Sequence, residues 1–138
     1  MTRPRRFISA VLLVASLAAA VAGAAHEKEQ ATDDRGVLLV IAQAPAQTRD
    51  WKNPYEGDPD AVLAGKKLYI QHCAECHGQN ARGMRNAVNL RGPQVQNATA
   101  GELVWFLRNG NLLHGMPSWS GLPEQRRWQI VTYLKSLR

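Results

Sequence analysis

Cys73-Ala-Glu-Cys76-His77 places two thiols three residues apart and an imidazole directly after them. In the last turn of a helix and its exit, thiols at this spacing can add to the two vinyl groups of one haem. The next residue then delivers a ring nitrogen to the iron, as in covalent c-type attachment. A zinc site would need two further Cys or His ligands. The other histidines are His26 in the N-terminal tail, His72 beside the motif and His114 in a late loop, so no second pair exists. A thioredoxin-like redox pair needs a βαβ setting that the chain lacks. A structural disulfide suits an exported protein but leaves His77 unexplained. Haem attachment accounts for all three residues.

Iron held on one side by His77 needs a second donor. Met1 belongs to the leader described below, Met84 lies seven residues after His77, and Met116 lies 39 after it. Met84 would have to reach the opposite face of the ring on a very short loop. Met116 stands in Gly115-Met116-Pro117, between a flexible and a rigid residue, in a polar loop rather than an apolar stripe. That setting favours a ligand over a core filler. His114 is the alternative donor, and a His/His iron would have the lower reduction potential.

Helices must bring these donors together. Asp58-Pro59-Asp60 supplies an N-cap and a first-turn proline, predicting a helix through Ala61, Leu63, Ala64, Leu68 and Tyr69 to His72. Gly78 to Gln96 contains Gly83, Gly92 and Pro93 and reads as loop. Thr99-Ala-Gly-Glu102 matches a capping box that opens a helix through Leu103, Trp105, Phe106 and Leu107, and Asn109-Gly110 stops it. After a loop over 110–122, a last helix starts near Pro123 and carries Trp128, Ile130, Val131, Leu134 and Leu137 on one broad face. No segment sustains an alternating pattern, so the fold class is all-α.

The 138 residues fit one small domain with extras and exclude a large multidomain enzyme. Two cysteines exclude a disulfide-stapled scaffold. Residues 1–24 read as an export signal: Arg3, Arg5 and Arg6, an apolar stretch from Phe7 to Gly23, then Ala22-Gly23-Ala24 as a cleavage pattern. Cleavage is the expectation and an uncleaved membrane anchor the alternative, because the stretch is slightly short for a bilayer and rich in alanine. The domain therefore works outside the cytoplasm, in the periplasm. Residues 25–57 read as a linker, interrupted by the apolar run Val37 to Ile41, expected to pack on its own domain or move freely; the alternative is a docking patch for a partner. The catalytic or carrier domain is expected over 58–138. Residues 60–138 carry ten basic and four acidic groups. This surplus alone hints at an anionic surface, but an exported chain meets little nucleic acid, so none is expected as a partner.

Residues 60–138 resemble a class I cytochrome c, the small monohaem electron carriers. The resemblance rests on the Cys73–His77 motif, on Gly115-Met-Pro-Ser-Trp119, on Gly65 and Tyr69 eight and four residues before the first cysteine, and on Ile130 and Tyr133 in the last helix. It implies a cytochrome c fold of three main helices with loops wrapped around one covalent haem. Gly65 would let the last helix cross closely. Cys73 and Cys76 would form the thioethers, His77 would be the proximal and Met116 the distal ligand. Family members place a proline about a dozen residues after the motif, whose carbonyl holds the proximal imidazole. Here none lies between His77 and Leu90, and Pro93 comes 16 residues after, so the acceptor for His77 is open.

The function so implied is one-electron transfer without substrate chemistry. Redox partners would be a dehydrogenase or quinol-oxidising complex on one side and an oxidase on the other. A dedicated cytochrome subunit of a periplasmic dehydrogenase is a narrower form. The alternative class is a haem enzyme or gas sensor with an absent or displaceable sixth ligand. Tyr69, Leu90, Trp105, Leu112 and Trp119 are candidates to wall the haem, with Trp105 expected in the core. Lys66, Lys67, Arg82, Arg85 and Arg91 are candidates to steer an acidic partner.

Overall fold

The structure, a computed structural model, describes residues 41–84 and 87–138. The expected export signal, Val37–Val40 of the apolar run and Arg85 lie outside the described residues. The elements are α1 (Pro59–His72), α2 (Ala74–His77), α3 (Pro93–Asn97), α4 (Ala100–Asn109) and α5 (Glu124–Lys135), with 3-10 turns at Ala46–Asp50 and Leu112–His114. Among the described residues the only ladder contact is a single antiparallel bridge between Asn111 and Met116.

Local chemistry sets the helix ends. The Asp58 carboxylate accepts from the amides of Asp60 and Ala61 at 2.9 and 3.3 Å, ahead of Pro59 in the first turn of α1. The Thr99–Glu102 capping box is complete in both directions at α4. Gly110, at φ 71°, ends α4 where a side chain would meet the Pro117 backbone at 2.6 Å.

The core forms where α1 and α5 cross. A Cβ on Gly65 would lie 2.0 Å from the Gln129 carbonyl and 2.9 Å from Tyr133 Cβ, so only glycine allows this approach. Beside it the Tyr69 and Tyr133 rings lie 5.3 Å apart. Tyr69, Ile130 and Val131 are fully buried there. At ~1.5–3 kcal/mol per fully buried aliphatic side chain, such residues are the main apolar contribution to this small domain.

Two features extend the sequence-based picture. The stretch expected as loop over 78–96 ends in helix α3, with Gly92 before it and Pro93 at its first position. Proline there begins a helix rather than breaking one. The α3 end is held from afar: Lys135 Nζ donates to the carbonyls of Gln96 (2.5 Å) and Ala98 (2.8 Å). Burial and nearby Arg138 lower the Lys135 pKa. The second feature lies in the segment read as linker. Its described part, residues 41–57, lies against the helices as a strap. Ile41 joins the buried core, Thr48 is fully buried, Asn53 Nδ2 donates to Thr132 Oγ1 at 2.9 Å, and Arg49 pairs with Glu102 at 2.8 Å. Gly101 admits the strap, since a Cβ there would stand 1.8 Å from the Thr48 carbonyl.

Candidate functional site

Cys73 follows α1 and His77 ends the single turn of α2, so the motif spans a helix break. The thiols are not joined to each other; Cys73 is half-buried and Cys76 exposed. Burial, and then the neighbouring Cys76, push the Cys73 thiol up to about 11, which keeps it protonated at neutral pH.

The open question of the His77 acceptor has an answer. Its Nδ1 lies 3.0 Å from the Val88 carbonyl, eleven residues on. A carbonyl can only accept, so this bond places the proton on Nδ1 and makes Nε2 the unprotonated nitrogen. Any residue's carbonyl serves here, which is why proline is dispensable. The turn between them is tightly knit. The Gly83 amide donates to the His77 carbonyl at 3.0 Å, and the Leu90 amide to the Ala81 carbonyl at 2.9 Å. Ala81 is fully buried at a left-handed φ of 60°. Below the turn, Tyr69 donates its hydroxyl proton to the Gly78 carbonyl at 2.6 Å, and burial raises its pKa so that it stays a donor.

The second candidate donor sits in the loop after α4. Asn111 and Met116 exchange backbone hydrogen bonds of 2.8 and 3.0 Å, closing a turn whose tip, Leu112 and Leu113, is 78% and 95% exposed. Met116 itself is half-buried and packs against the core. The base is pinned to α4: Trp119 donates its amide proton to the Leu107 carbonyl at 2.9 Å, and Ser118 Oγ donates to the Arg108 carbonyl at 2.6 Å. The loop meets the end of α1, just before the motif, where the Trp119 and His72 rings lie 5.3 Å apart.

The alternatives are placed elsewhere. Met84 is half-exposed, with its sulfur 3.5 Å from where a Cβ on Gly78 would stand, beside the motif's own turn. His114 is exposed and its Nδ1 lies 3.1 Å from the Asn111 side-chain oxygen. Trp105 is half-buried and lies outside the packed core, contrary to expectation. Of the candidate basic patch, Lys66, Lys67, Arg82 and Arg91 are exposed, and Arg91 also donates to the carbonyls of Asn80 and Leu137. The sequence reading missed Val88, whose backbone carries the role, and Arg127, which reaches the loop from α5. An open groove of about 940 Å³ between strap, α1 and the end of α5 contains none of the motif residues.

Residues 60–134 match the domain family described as cytochrome c oxidase, cbb3-type, subunit III. The chain belongs to the class I c-type cytochromes. It is 29% identical to cytochrome c550 of Pseudomonas aeruginosa over 92% of this chain and 91% of that protein. It is 33% identical to the quinohemoprotein alcohol dehydrogenase ADH IIB of Pseudomonas putida over 77% of this chain, and spans only 15% of that enzyme. With the cbb3-type oxidase subunit CcoP of Rubrivivax gelatinosus it shares 28% identity, spanning 33% of it. The fold is that of a cytochrome c: cytochrome CL of Methylophaga aminisulfidivorans superposes with a TM-score of 0.53 at 24% identity, over 60% of this chain and 57% of that one. This is thus an all-α electron-transfer cytochrome with a c-type haem and its iron. The donors present fit that group: two unjoined thiols, an imidazole whose Nδ1 is held by a carbonyl, and a half-buried thioether. Among the described residues, no three His, Cys, Asp or Glu gather as a bare-ion site, and no helix is long and apolar enough to cross a membrane.

Proposed function

We propose that this cytochrome is a periplasmic one-electron carrier in which Cys73 and Cys76 hold the haem through thioethers while His77 and Met116 bind its iron. The bound haem supplies the Fe(III)/Fe(II) couple. The observation that carries the reading is the His77 Nδ1–Val88 carbonyl bond of 3.0 Å beside two unpaired thiols. Such a bond orients an imidazole and raises its basicity toward a metal, which supports His77 as the ligand. Met116 contributes a soft thioether, which favours ferrous iron and raises the potential. Two protein ligands leave no open position for oxygen or peroxide, so the chain's residues bind and insulate rather than catalyse.

The relatives support redox proteins as partners: one relative is a dehydrogenase with a haem, another an oxidase subunit. Donation from a dehydrogenase or quinol-oxidising complex and delivery to an oxidase follow from the carrier reading. The arginine-led apolar N-terminus supports export.

Absorption spectra of haem-loaded protein, oxidised and then reduced with CO added, test this. A ferric charge-transfer band from an iron–methionine sulfur bond, with no CO effect, is expected. A missing band with ready CO binding would overturn the carrier reading in favour of a haem enzyme or gas-binding sensor.

A further inference from the structure

Arg127 is a charged residue that the electron-transfer reading leaves without a task. It sits in the first turn of α5, only 8% exposed. Among the described residues it makes no ion pair, and its Nε has no hydrogen-bond partner. An arginine cannot shed its proton, so burial leaves a full charge that something must compensate. The compensation comes from backbone carbonyls of the loop after Met116. Nη1 donates toward Leu122, with the Ser120 and Trp119 carbonyls at 3.3 and 3.4 Å.

Cation and loop therefore fix each other. If the segment Trp119–Leu122 swung away, the guanidinium would lose the carbonyls that compensate its charge. Hydrogen bonds to a charged group are stronger than neutral ones. The restraint passes back to Met116 over a short, stiff path. Pro117 has a fixed φ, Ser118 is tied to the Arg108 carbonyl, and Trp119 to the Leu107 carbonyl. The other ties on this loop are neutral hydrogen bonds and one ring contact.

We propose that Arg127 is the positioning residue of the distal loop, holding Met116 to the iron by gripping the carbonyls of residues 119–122. This rests on the reading of Met116 as the ligand. Haem-loaded full-length wild type, Arg127→Gln, Arg127→Lys and Leu134→Ala test it through the sulfur-to-iron band, CO association with reduced protein, and urea unfolding. Leu134 is buried in α5 and makes none of the loop's hydrogen bonds, so its variant controls for general destabilisation.

Wild type should show the band and exclude CO. Arg127→Gln should lose band intensity and bind CO about tenfold faster or more. Arg127→Lys should lie between, and Leu134→Ala should match wild type in both spectral readouts despite its lower stability. Unchanged band and CO exclusion in Arg127→Gln would overturn the proposal, as would equal CO binding in Leu134→Ala. If Arg127→Gln fails to mature, wild-type behaviour of Arg127→Lys overturns it instead. A wild type that lacks the band and binds CO removes the ligand reading itself. A wild type with the band, joined to an unaffected Arg127→Gln, removes only the role of Arg127.

Discussion

The turn after the haem motif and the loop carrying Met116 are built on opposite plans. The proximal turn, from Cys73 to Leu90, closes on itself: His77 finds Val88 eleven residues on, Gly83 bonds back to His77, and Leu90 to Ala81. The distal loop, from Gly110 to Leu122, is tied mainly to other elements, at Leu107, Arg108, His72 and Arg127. Its tip stands in solvent. The first is therefore a rigid seat and the second a latch, whose placement depends on α4 and α5 already being packed. Under the proposed ligation, one ligand would be held fixed and the other would be the point at which potential and closure to small ligands are set.

Matched glycine substitutions should break this symmetry most strongly. Gly83 has φ 82°, and a Cβ would meet the Ala87 carbonyl at 2.4 Å. Gly83→Ala combines left-handed strain with a backbone clash and should cost about 3 kcal/mol in chemical denaturation. Gly115 has nearly the same φ, 79°, but nothing within 4 Å of the added atom. Gly115→Ala should cost only about 1 kcal/mol. Equal losses would contradict a rigid seat and an open latch.

Smaller effects sharpen the same contrast. Ser118→Ala removes the exposed bond to the Arg108 carbonyl and two weaker ones to Ser120 at the base of the latch, and should cost about 1 kcal/mol in chemical denaturation. The strap gives the smallest effect and a pH dependence. Burial alone would raise the Glu102 pKa, but bonds from Arg49 and Thr99 more than offset it and hold the carboxyl below its usual value. A depressed folded-state pKa stabilises above the unfolded value and is lost as pH falls through the folded one. Acid titration of stability should therefore show a step in the carboxylate range. Arg49→Ala should shrink that step and cost a few tenths of a kcal/mol, since Arg49 is largely exposed.

What the sequence disclosed follows the same division. Helix ends depend on neighbours in the chain, so Asp58, Thr99, Glu102 and Gly110 were legible, as was the close crossing at Gly65 and Tyr133. The motif was legible because its spacing is its chemistry. Helix α3 was not, because Gly92 and Pro93 look like breakers and its far end is held by Lys135, 39 residues after Gln96. Val88 was hidden because a carbonyl carries no side-chain signature. The strap was hidden because polar residues such as Arg49 and Asn53 acquire partners only after α4 and α5 pack. Nothing in the sequence sets Arg127 apart from Arg126 beside it, although the fold buries it.

The central claim is that Met116, and not Met84 beside the proximal turn, is the sulfur on the iron. Recording the ferric sulfur-to-iron charge-transfer band for wild type, Met84→Ala and Met116→Ala under one set of conditions tests it directly. The account predicts the band in wild type and Met84→Ala and its loss in Met116→Ala. A band that survives in Met116→Ala and disappears in Met84→Ala would contradict it.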